Sequence, residues 1–330
     1  MSLLNKIGVV IIGRNEGKRL VECFHSIIGK VNRIVYVDSG STDNSVENAR
    51  QLNIEVVELD MTMPFTAARG RNAGLKKLKV LKPVPEFVQF VDGDCKISNG
   101  WFEAALKTIK SHKNIAAVYG RRREEFPDKT PYNRIVDMEW ENSVGESDAC
   151  GGDALMKMKA LDEVGGYNAS LIAGEEPEMC LRMRRKGWKI LSIGHEMTLH
   201  DANITRFGQL WKRSIRCGHA YLDGFLMYGT SDDRYRKKQV LSVFFWSLCI
   251  PFLSIGLIPI SKGWSLILMF SYGLLWYRIR KWRIGMSNTS IHASQYAAFY
   301  TIAKFAELQG MIQNIFNRII KKKTEIIEYK

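Results

Sequence analysis

The amino-terminal part of the chain alternates between short apolar runs and amphipathic stretches, and this alternation restricts the possible folds more than any other feature. Residues 7–12 form a continuous apolar run, which is typical of a strand buried on both faces. A helical pattern follows, and similar runs return at residues 33–38 and 54–59. Strands and helices in this order predict an α/β fold with a doubly wound sheet.

The loop after the first predicted strand argues against a dinucleotide-binding domain. Such a domain needs the pattern G-x-G-x-x-G at this point, whereas residues 13–17 read GRNEG. A dehydrogenase is therefore disfavoured. The second predicted strand ends in Asp38, whose carboxylate can accept hydrogen bonds from a base or a ribose.

Two carboxylates follow the apolar run at residues 87–91. Asp92 and Asp94 are separated by Gly93, which permits a tight bend. Open α/β sheets bind ligands at the carboxyl ends of their strands. The pair is thus placed to hold a hard divalent cation together with phosphate oxygens. An acidic turn is the alternative, since Asp and Gly are common turn residues.

Basic side chains mark the start of a helix predicted at residues 66–78. Arg69, Arg71 and Asn72 lie near its amino end, where the helix dipole favours an anionic ligand. Solvated surface charge is the competing interpretation. Residues 120–146 are polar and irregular, and they predict a mobile loop or a substrate-side insertion.

Acids open another predicted helix. Glu175 and Glu176 precede Pro177, which suits a first helical turn, and their charges suit the helix dipole. The simpler interpretation is an acid-rich helix start. His200 follows a strand-like run and precedes an acid, which makes it a candidate metal ligand, although a single histidine is more often structural.

The charge balance indicates a polyanionic partner. Lys and Arg number 48 against 34 Asp and Glu, which gives a net charge of +14. No DNA-recognition motif accompanies the excess, so nucleic acid is not expected as a partner. The six cysteines form no C-x-x-C pair and are expected to be reduced thiols in a cytosolic setting.

The carboxyl-terminal part is apolar and flanked by basic residues. Between residues 240 and 277 the only charge is Lys262. Residues 240–261 are long enough to span a bilayer, and residues 263–277 are marginal. Basic flanks on both sides predict a hairpin with both ends cytoplasmic. A one-leaflet hairpin and a buried hairpin in a soluble core are the alternatives. Residues 293–323 predict an amphipathic helix that ends in three lysines and suits an anionic leaflet.

Several of these motifs, in this order, resemble inverting family 2 glycosyltransferases of the GT-A fold. The resemblance covers roughly residues 5–225 and rests on residues 13–16, 37–43, 69–72, 92–94 and 174–176. It implies a Rossmann-like mixed sheet, a nucleotide-sugar donor, usually a UDP-sugar, and Mg²⁺ or Mn²⁺. We therefore predict a GT-A domain at residues 1–230, followed by a hydrophobic hairpin and a basic amphipathic helix at 231–330.

The resemblance also implies roles for individual residues. Glu176 is implied as the catalytic base with Glu175 beside it, although the family usually has Glu-Asp at this pair. The Gln-x-x-Arg-Trp motif of processive members is absent. The implied nucleotide-sugar contacts are Arg14, Asn15, Glu16, Asp38, Arg69, Asn72, Asp92 and Gly93. The implied metal ligands are Asp94, Asp92 and His200.

The expected function is a membrane-attached transferase at the cytoplasmic face of the cell membrane. It would add a sugar to a lipid-linked or surface-polysaccharide acceptor, with the anionic membrane surface as a further partner. A polyprenyl-phosphate sugar synthase is the nearest alternative among enzymes. A non-catalytic membrane scaffold that binds nucleotide sugars is the alternative from another class.

Overall fold

The computed structural model describes residues 3–320 and residue 327, and its contacts divide the chain into two compact units. The first unit contains the described residues up to Phe126 together with Trp140–Ala202. The second contains Pro127–Glu139 and the described residues from Asn203 onward. The domain boundary expected near residue 230 stays a prediction.

The first unit is built on one mixed sheet. Its strands are β1 Ile7–Gly13, β2 Arg33–Asp38, β3 Glu55–Glu58, β4 Phe87–Asp92, β5 Cys95–Ile97, β6 Ile115–Glu124, β7 Gly145–Ser147, β8 Ala154–Lys157 and β9 Lys189–His200. They lie in the order β3-β2-β1-β4-β8-β6-β9-β5, and β7 pairs with β9.

Helices surround this sheet and form the regular structure of the second unit in the described part of the chain. They are α1 Lys18–Ile27, α2 Ser45–Gln51, α3 Ala67–Val80, α4 Trp101–Ser111, α5 Pro131–Glu139, α6 Met158–Val164, α7 Glu175–Arg185, α8 Phe207–Tyr228, α9 Lys237–Phe244, α10 Ile250–Gly256, α11 Ile258–Ser261, α12 Ser271–Gly285 and α13 Ser290–Ile319. Short 3-10 helices occupy Leu3–Lys6 and Trp264–Phe270, and a π-helix occupies Phe245–Cys249.

The parallel half of the sheet confirms the α/β prediction. Strands β3, β2, β1 and β4 run parallel, and β1 is buried from Ile7 to Ile11. Helix α1 packs with an apolar stripe that repeats every three or four residues, as an amphipathic helix does. The carboxyl ends of β1, β2 and β4 therefore meet at one edge.

Strand β8 is inserted in the opposite direction between β4 and β6. Phe90 of β4 pairs with Ala154, the first residue of β8. The residues just before β8 therefore lie at the carboxyl end of β4. The backbone N–H of Asp92 donates to Oδ1 of Asp153 at 3.1 Å.

The prediction that residues 120–146 form an irregular loop is wrong for much of this range. Strand β6 continues to Glu124, and Pro131–Glu139 forms helix α5. The arginines of β6 give this strand a polar sequence. Arg122 is nonetheless only 15% exposed, and its charge is paired with that of Asp153.

In the second unit, α8 and α13 pack at very short distance. A Cβ added to Gly218 would lie 1.9 Å from the carbonyl oxygen of Glu307, and one on Gly310 would lie 1.9 Å from that of Ile215. Only glycine permits such a crossing. Helix α13 is the predicted carboxyl-terminal helix, and its three terminal lysines lie outside the described residues.

One helical run in the described part of the chain, Lys237–Gly256, is long and apolar enough to cross a membrane by length and composition. It passes through α9, the π-helix and α10 without a break. Such a run is also found in the cores of soluble proteins. Whether it is a core helix or a membrane helix therefore depends on how far its side chains are buried.

Candidate active site

An arginine and three carboxylates form the centre of the site. The Nη1 atom of Arg71 lies 2.9 Å from Oε1 of Glu175 and 2.6 Å from Oε1 of Glu176, while Nη2 lies 2.9 Å from Oδ1 of Asp92. The Arg71 side chain is 3% exposed. One buried cation thus joins the end of β4 to the first turn of α7.

Arg71 belongs to the basic start of its helix but was not among the predicted site residues. A signal for it exists in the sequence. The buried positions of α3 include Ala68, Arg71, Leu75 and Leu78, which follow the spacing of an apolar stripe. A cation at such a position must meet buried partners, because an unpaired buried charge is too costly.

The surroundings of Glu176 favour its protonated form. Burial first, and then the nearby charge of Glu175, raise the pKa of Glu176 to about 7, while the Arg71 guanidinium opposes the shift. The side chain of Glu176 is 14% exposed, against 3% for Glu175. Glu176 is thus the more exposed carboxylate of the pair, and its pKa lies near neutral pH.

Asp94 and His200 form a second group beside the first. Oδ2 of Asp94 lies 3.0 Å from Nε2 of His200, and both side chains are buried. Burial, and next the charge of Arg122, lower the pKa of His200 to about 4, so that its imidazole is neutral at neutral pH. Strand β5 follows directly after Asp94 and pairs Cys95 with His200, which fixes this contact.

These residues fit a divalent cation. Six-coordinate metals of this class hold their ligands at about 2.1 Å, so neighbouring ligands lie about 3.0 Å apart. Asp94 and His200 have that separation, which is also that of a hydrogen bond, and their ligand atoms group within 4.8 Å together with the sulfur of Cys95. The third predicted ligand, Asp92, groups instead with Cys95 and Asp153. Burial raises the pKa of the Cys95 thiol, so this residue stays protonated. The carboxylate oxygen suits Mn²⁺ or Mg²⁺, whereas imidazole is a more usual ligand of transition metals.

Arg122, Asp153 and Trp140 also line this region, and sequence reasoning assigned them no role. The Nη2 atom of Arg122 lies 2.7 Å from Oδ2 of Asp153 and 3.5 Å from Oδ2 of Asp92. The Trp140 ring stacks on His200 with centroids 4.7 Å apart. Nothing local distinguishes Arg122 from the adjacent arginines, since its partners are distant in sequence.

The loops after β1 and β2 are hydrogen bonded to each other. Oδ2 of Asp38 accepts from the backbone N–H groups of Gly40 and Ser41, at 2.9 and 2.8 Å. Oδ1 of Asn15 accepts from the backbone N–H of Thr42 at 2.7 Å. Asp38 and Asn15 therefore lie together at the sheet edge, and each shapes the loop next to it.

Arg14, Glu16 and Gly93 lie at the same edge. The guanidinium of Arg14 is 4.9 Å from the Phe65 ring centroid, and Glu16 forms an ion pair with Arg19 at 2.8 Å. A Cβ on Gly93 would lie 3.1 Å from the backbone oxygen of residue 12, so this glycine permits close approach of two strands.

Arg69 and Asn72 hold neighbouring segments and do not join the carboxylate cluster. Arg69 donates to the backbone oxygens of residues 60, 63 and 64. The amide of Asn72 bonds the backbone of Tyr167 in both directions, at 2.7 and 2.9 Å. The helix therefore presents Arg71 to the cluster, while Arg69 faces the loop before it.

Replacement of Gly152 by Ala is expected to lower transferase activity sharply. A Cβ at this position would lie 2.5 Å from Nη2 of Arg71 and 3.1 Å from Oδ2 of Asp92, so the ion pair must move. A shift of about 1 Å in such a site costs on the order of a hundredfold in rate. Steady-state turnover measures the effect.

The matched control for this substitution is the adjacent glycine. A Cβ on Gly151 meets nothing within 4 Å, so Gly151→Ala is expected to retain activity within about twofold. Equal activity of the two variants would show that the Arg71–Asp92 contact is not needed for turnover.

Comparison with known proteins finds a family match over part of the chain. The family described as Glycosyl transferase family 2 matches residues 8–165, which include Asp38, Arg71 and Asp92–Asp94. The matched range ends before Glu175, Glu176 and His200. A search of curated proteins found no match.

Two solved structures share the fold. One is the mannosyltransferase PcManGT from Pyrobaculum calidifontis in complex with GDP-Man and Mn²⁺, with 14% identity, a TM-score of 0.61, and coverage of 95% of this chain and 88% of that one. The other is S. aureus TarS 1-349, with 15% identity, a TM-score of 0.51, and coverage of 92% and 91%. The chain therefore has the GT-A fold, and its residues 8–165 match glycosyltransferase family 2.

Proposed function

We propose that this enzyme is a metal-dependent inverting glycosyltransferase. It moves a sugar from a nucleotide sugar, with UDP-sugars as the first candidates, to a hydroxyl of a lipid-linked or surface-polysaccharide acceptor. The acceptor is proposed at the cytoplasmic face of the cell membrane. The observation that carries the proposal is the cluster in which Arg71 holds Glu175 and Glu176 beside Asp92.

The position of the cluster supports a donor site. Asp38 and Asp92 end two parallel strands at the edge where α/β sheets bind nucleotides. Asn15, Glu16 and Arg14 belong to the loop after β1 at the same edge. We assign these residues, with Arg69, Asn72 and Gly93 as supports of the surrounding loops, to the nucleotide-sugar site.

Asp94, His200 and Asp92 are the residues that we assign to Mg²⁺ or Mn²⁺. When bound, the cation neutralises negative charge on the diphosphate leaving group. The likeness to a structure that contains Mn²⁺ and GDP-Man supports the assignment at the level of the fold. It also adds GDP-sugars to the donors that deserve testing.

Glu176 is proposed as the general base. Its carboxylate would accept the proton of the acceptor hydroxyl as that oxygen attacks the anomeric carbon from the face opposite the diphosphate. One displacement of this kind inverts the anomeric configuration and requires no sugar-enzyme intermediate. A pKa of about 7 suits a base that works near neutral pH.

The test is a panel of UDP- and GDP-sugars incubated with the full-length enzyme in the presence and absence of Mn²⁺. We expect one donor to be hydrolysed or transferred only with the metal, and Asp94→Asn to lower turnover at least about a hundredfold. The control is Asp128→Asn, since the Asp128 side chain is 84% exposed. Turnover independent of metal, or no turnover with any donor, would contradict the proposal; the latter would favour a non-catalytic scaffold.

Product stereochemistry completes the test. NMR of the first product formed is expected to show an anomeric configuration opposite to that of the donor. Retention of configuration would overturn the single-displacement mechanism and the role of Glu176 as base. A product that contains a sugar linked to a lipid phosphate would instead identify a polyprenyl-phosphate sugar synthase.

A further inference from the structure

Residues 245–270, here called the apolar hairpin, expose large apolar side chains. The segment comprises the π-helix, α10, α11 and the 3-10 helix at Trp264–Phe270, with a reversal at Lys262 and Gly263, whose φ angles are 51° and 90°. Its most exposed apolar side chains are Phe252 (72%), Ile255 (64%), Ile260 (82%), Trp264 (77%), Ile267 (60%) and Phe270 (79%).

The interior of the apolar hairpin is made mostly of serine. Its buried residues are Ser247, Ile250, Ser254 and Ser265. The Ser265 hydroxyl donates to the backbone oxygen of Ser254 at 2.7 Å, which ties the two arms together. The Ser254 hydroxyl in turn donates to the backbone oxygen of Ile250 at 2.7 Å.

This distribution is the reverse of that in a water-soluble helical hairpin. In water, large apolar side chains are buried together and hydroxyl groups face the solvent. In lipid, helices associate through small residues and hydroxyl hydrogen bonds, while large apolar side chains face the acyl chains. The apolar hairpin follows the second pattern. A buried hairpin in a soluble core, which the sequence left open, does not have this exposure.

Exposed basic side chains flank the apolar hairpin on both sides along the chain. Arg234, Lys237 and Lys238 are exposed before the first arm, and Arg278 and Lys281 are exposed after the second. Trp282 lies with Arg278 and Lys281 along a shallow cavity on α12. The nearby acids are Asp232 and Asp233, so the cations are in excess. Cations and a tryptophan at the end of an apolar segment suit anionic lipid headgroups.

We infer that the apolar hairpin inserts into the hydrocarbon of an anionic phospholipid bilayer, with the flanking cations on the headgroups. The inference deepens the proposed function, because it gives the means by which the enzyme reaches an acceptor at the membrane. It rests on the proposed function for the statement that the acceptor is there. The partner is the lipid bilayer. The serine contacts fix the two arms as one unit, and the exposed apolar side chains supply the surface that lipid covers.

The test is flotation of the full-length protein with vesicles of phosphatidylglycerol and phosphatidylcholine. We expect co-flotation that persists in about 1 M salt, which screens purely electrostatic adsorption, and that is at least about tenfold weaker with phosphatidylcholine alone. Phe252→Asp and Ile260→Asp are each expected to lower the partition coefficient about a hundredfold. The control is Val80→Asp, because Val80 is 66% exposed on α3 and lies outside the hairpin.

Four results would overturn the inference. The first is no flotation of the wild-type protein, and the second is release of all bound protein by salt. The third is equal binding of the hairpin variants and the wild type. Self-association that the Asp substitutions abolish, without vesicle binding, would also overturn it, because a second copy would then cover the hairpin.

Donor hydrolysis in the same preparations separates this inference from the proposed function. The hairpin variants are expected to hydrolyse the donor with Mn²⁺ at the wild-type rate, since the carboxylate cluster lies in the first unit. Hydrolysis without flotation contradicts only the insertion of the hairpin. Flotation without hydrolysis contradicts only the transferase proposal.

Discussion

Substitution of Glu176 by Gln is expected to lower turnover about a thousandfold while donor binding is retained. The amide has nearly the shape of the carboxylate but cannot accept the acceptor proton, and a general base contributes 10²–10⁴-fold in typical enzymes. A thousandfold loss corresponds to about 4 kcal/mol of transition-state stabilisation. Single-turnover kinetics and donor titration measure the two quantities separately.

The pH dependence provides the second measurement on Glu176. Its pKa of about 7 means that the carboxylate form dominates above that pH. In the wild type, kcat/KM is therefore expected to fall as pH drops through about 7, approaching tenfold per pH unit on the acid side. This limb should be missing from the residual activity of Glu176→Gln.

Glu175→Gln is the matched control. It removes the neighbouring negative charge that raises the pKa of Glu176, so the variant should stay active and its acid limb should move to lower pH. An inactive Glu175→Gln beside an active Glu176→Gln would reverse the assignment. The base would then be the more deeply buried carboxylate.

Substitution of Arg71 by Met is expected to destabilise the protein by about 3–5 kcal/mol. Removing one partner of a buried ion pair leaves the other charge uncompensated, and here three carboxylates lose the same cation. Denaturant unfolding of the full-length protein measures the change. Turnover is expected to fall as well, because Asp92 and Glu176 lose their common anchor.

The controls for Arg71 separate charge from geometry. Arg50→Met removes a surface pair with Glu58, both 59% exposed, and is expected to cost about 0–1 kcal/mol. Arg71→Lys keeps the positive charge, but lysine lacks the planar guanidinium group that bridges Glu175, Glu176 and Asp92. If Arg71→Met unfolds no more easily than Arg50→Met, the cluster does not stabilise the fold.

If Arg71→Met does not fold, the kinetics of Arg71→Lys test the role of Arg71 instead. The guanidinium of Arg71 lowers the pKa of Glu176, so a weaker contact in Arg71→Lys should move the acid limb of kcat/KM to higher pH. An unchanged limb together with unchanged turnover would show that Arg71 does not act on Glu176.

The sequence was informative wherever local pattern decides structure. The apolar run of β1 and the helical stripe of α1 are short-range signals, and they led to the correct α/β class. The position of Asp92 and Asp94 at the carboxyl end of β4 was predicted correctly because the end of an apolar run can be read directly from the sequence. The GT-A resemblance was confirmed by the family match and the shared fold.

Contacts between distant segments were beyond such reasoning. Asp153 reaches the edge of β4 because β8 runs antiparallel, and strand direction has no signature in a run of four residues. Arg122 is an ordinary member of an arginine run until Asp153 pairs with it. The polar sequence at the end of β6 likewise concealed this part of the strand. The charged side chains there have partners that are far away along the chain, as Arg122 has in Asp153.

The contacts of Arg71 also bear on how the enzyme acquires activity. Its partners lie 21, 104 and 105 residues away along the chain. Closing such long loops is slow compared with forming a helix or a turn. Strand β4 and helices α3 and α7 must all be in place before the guanidinium meets its carboxylates. The cluster is therefore expected to form late in refolding of the first unit, after most of its secondary structure, and an incompletely synthesised chain that stops before α7 lacks both of its glutamates.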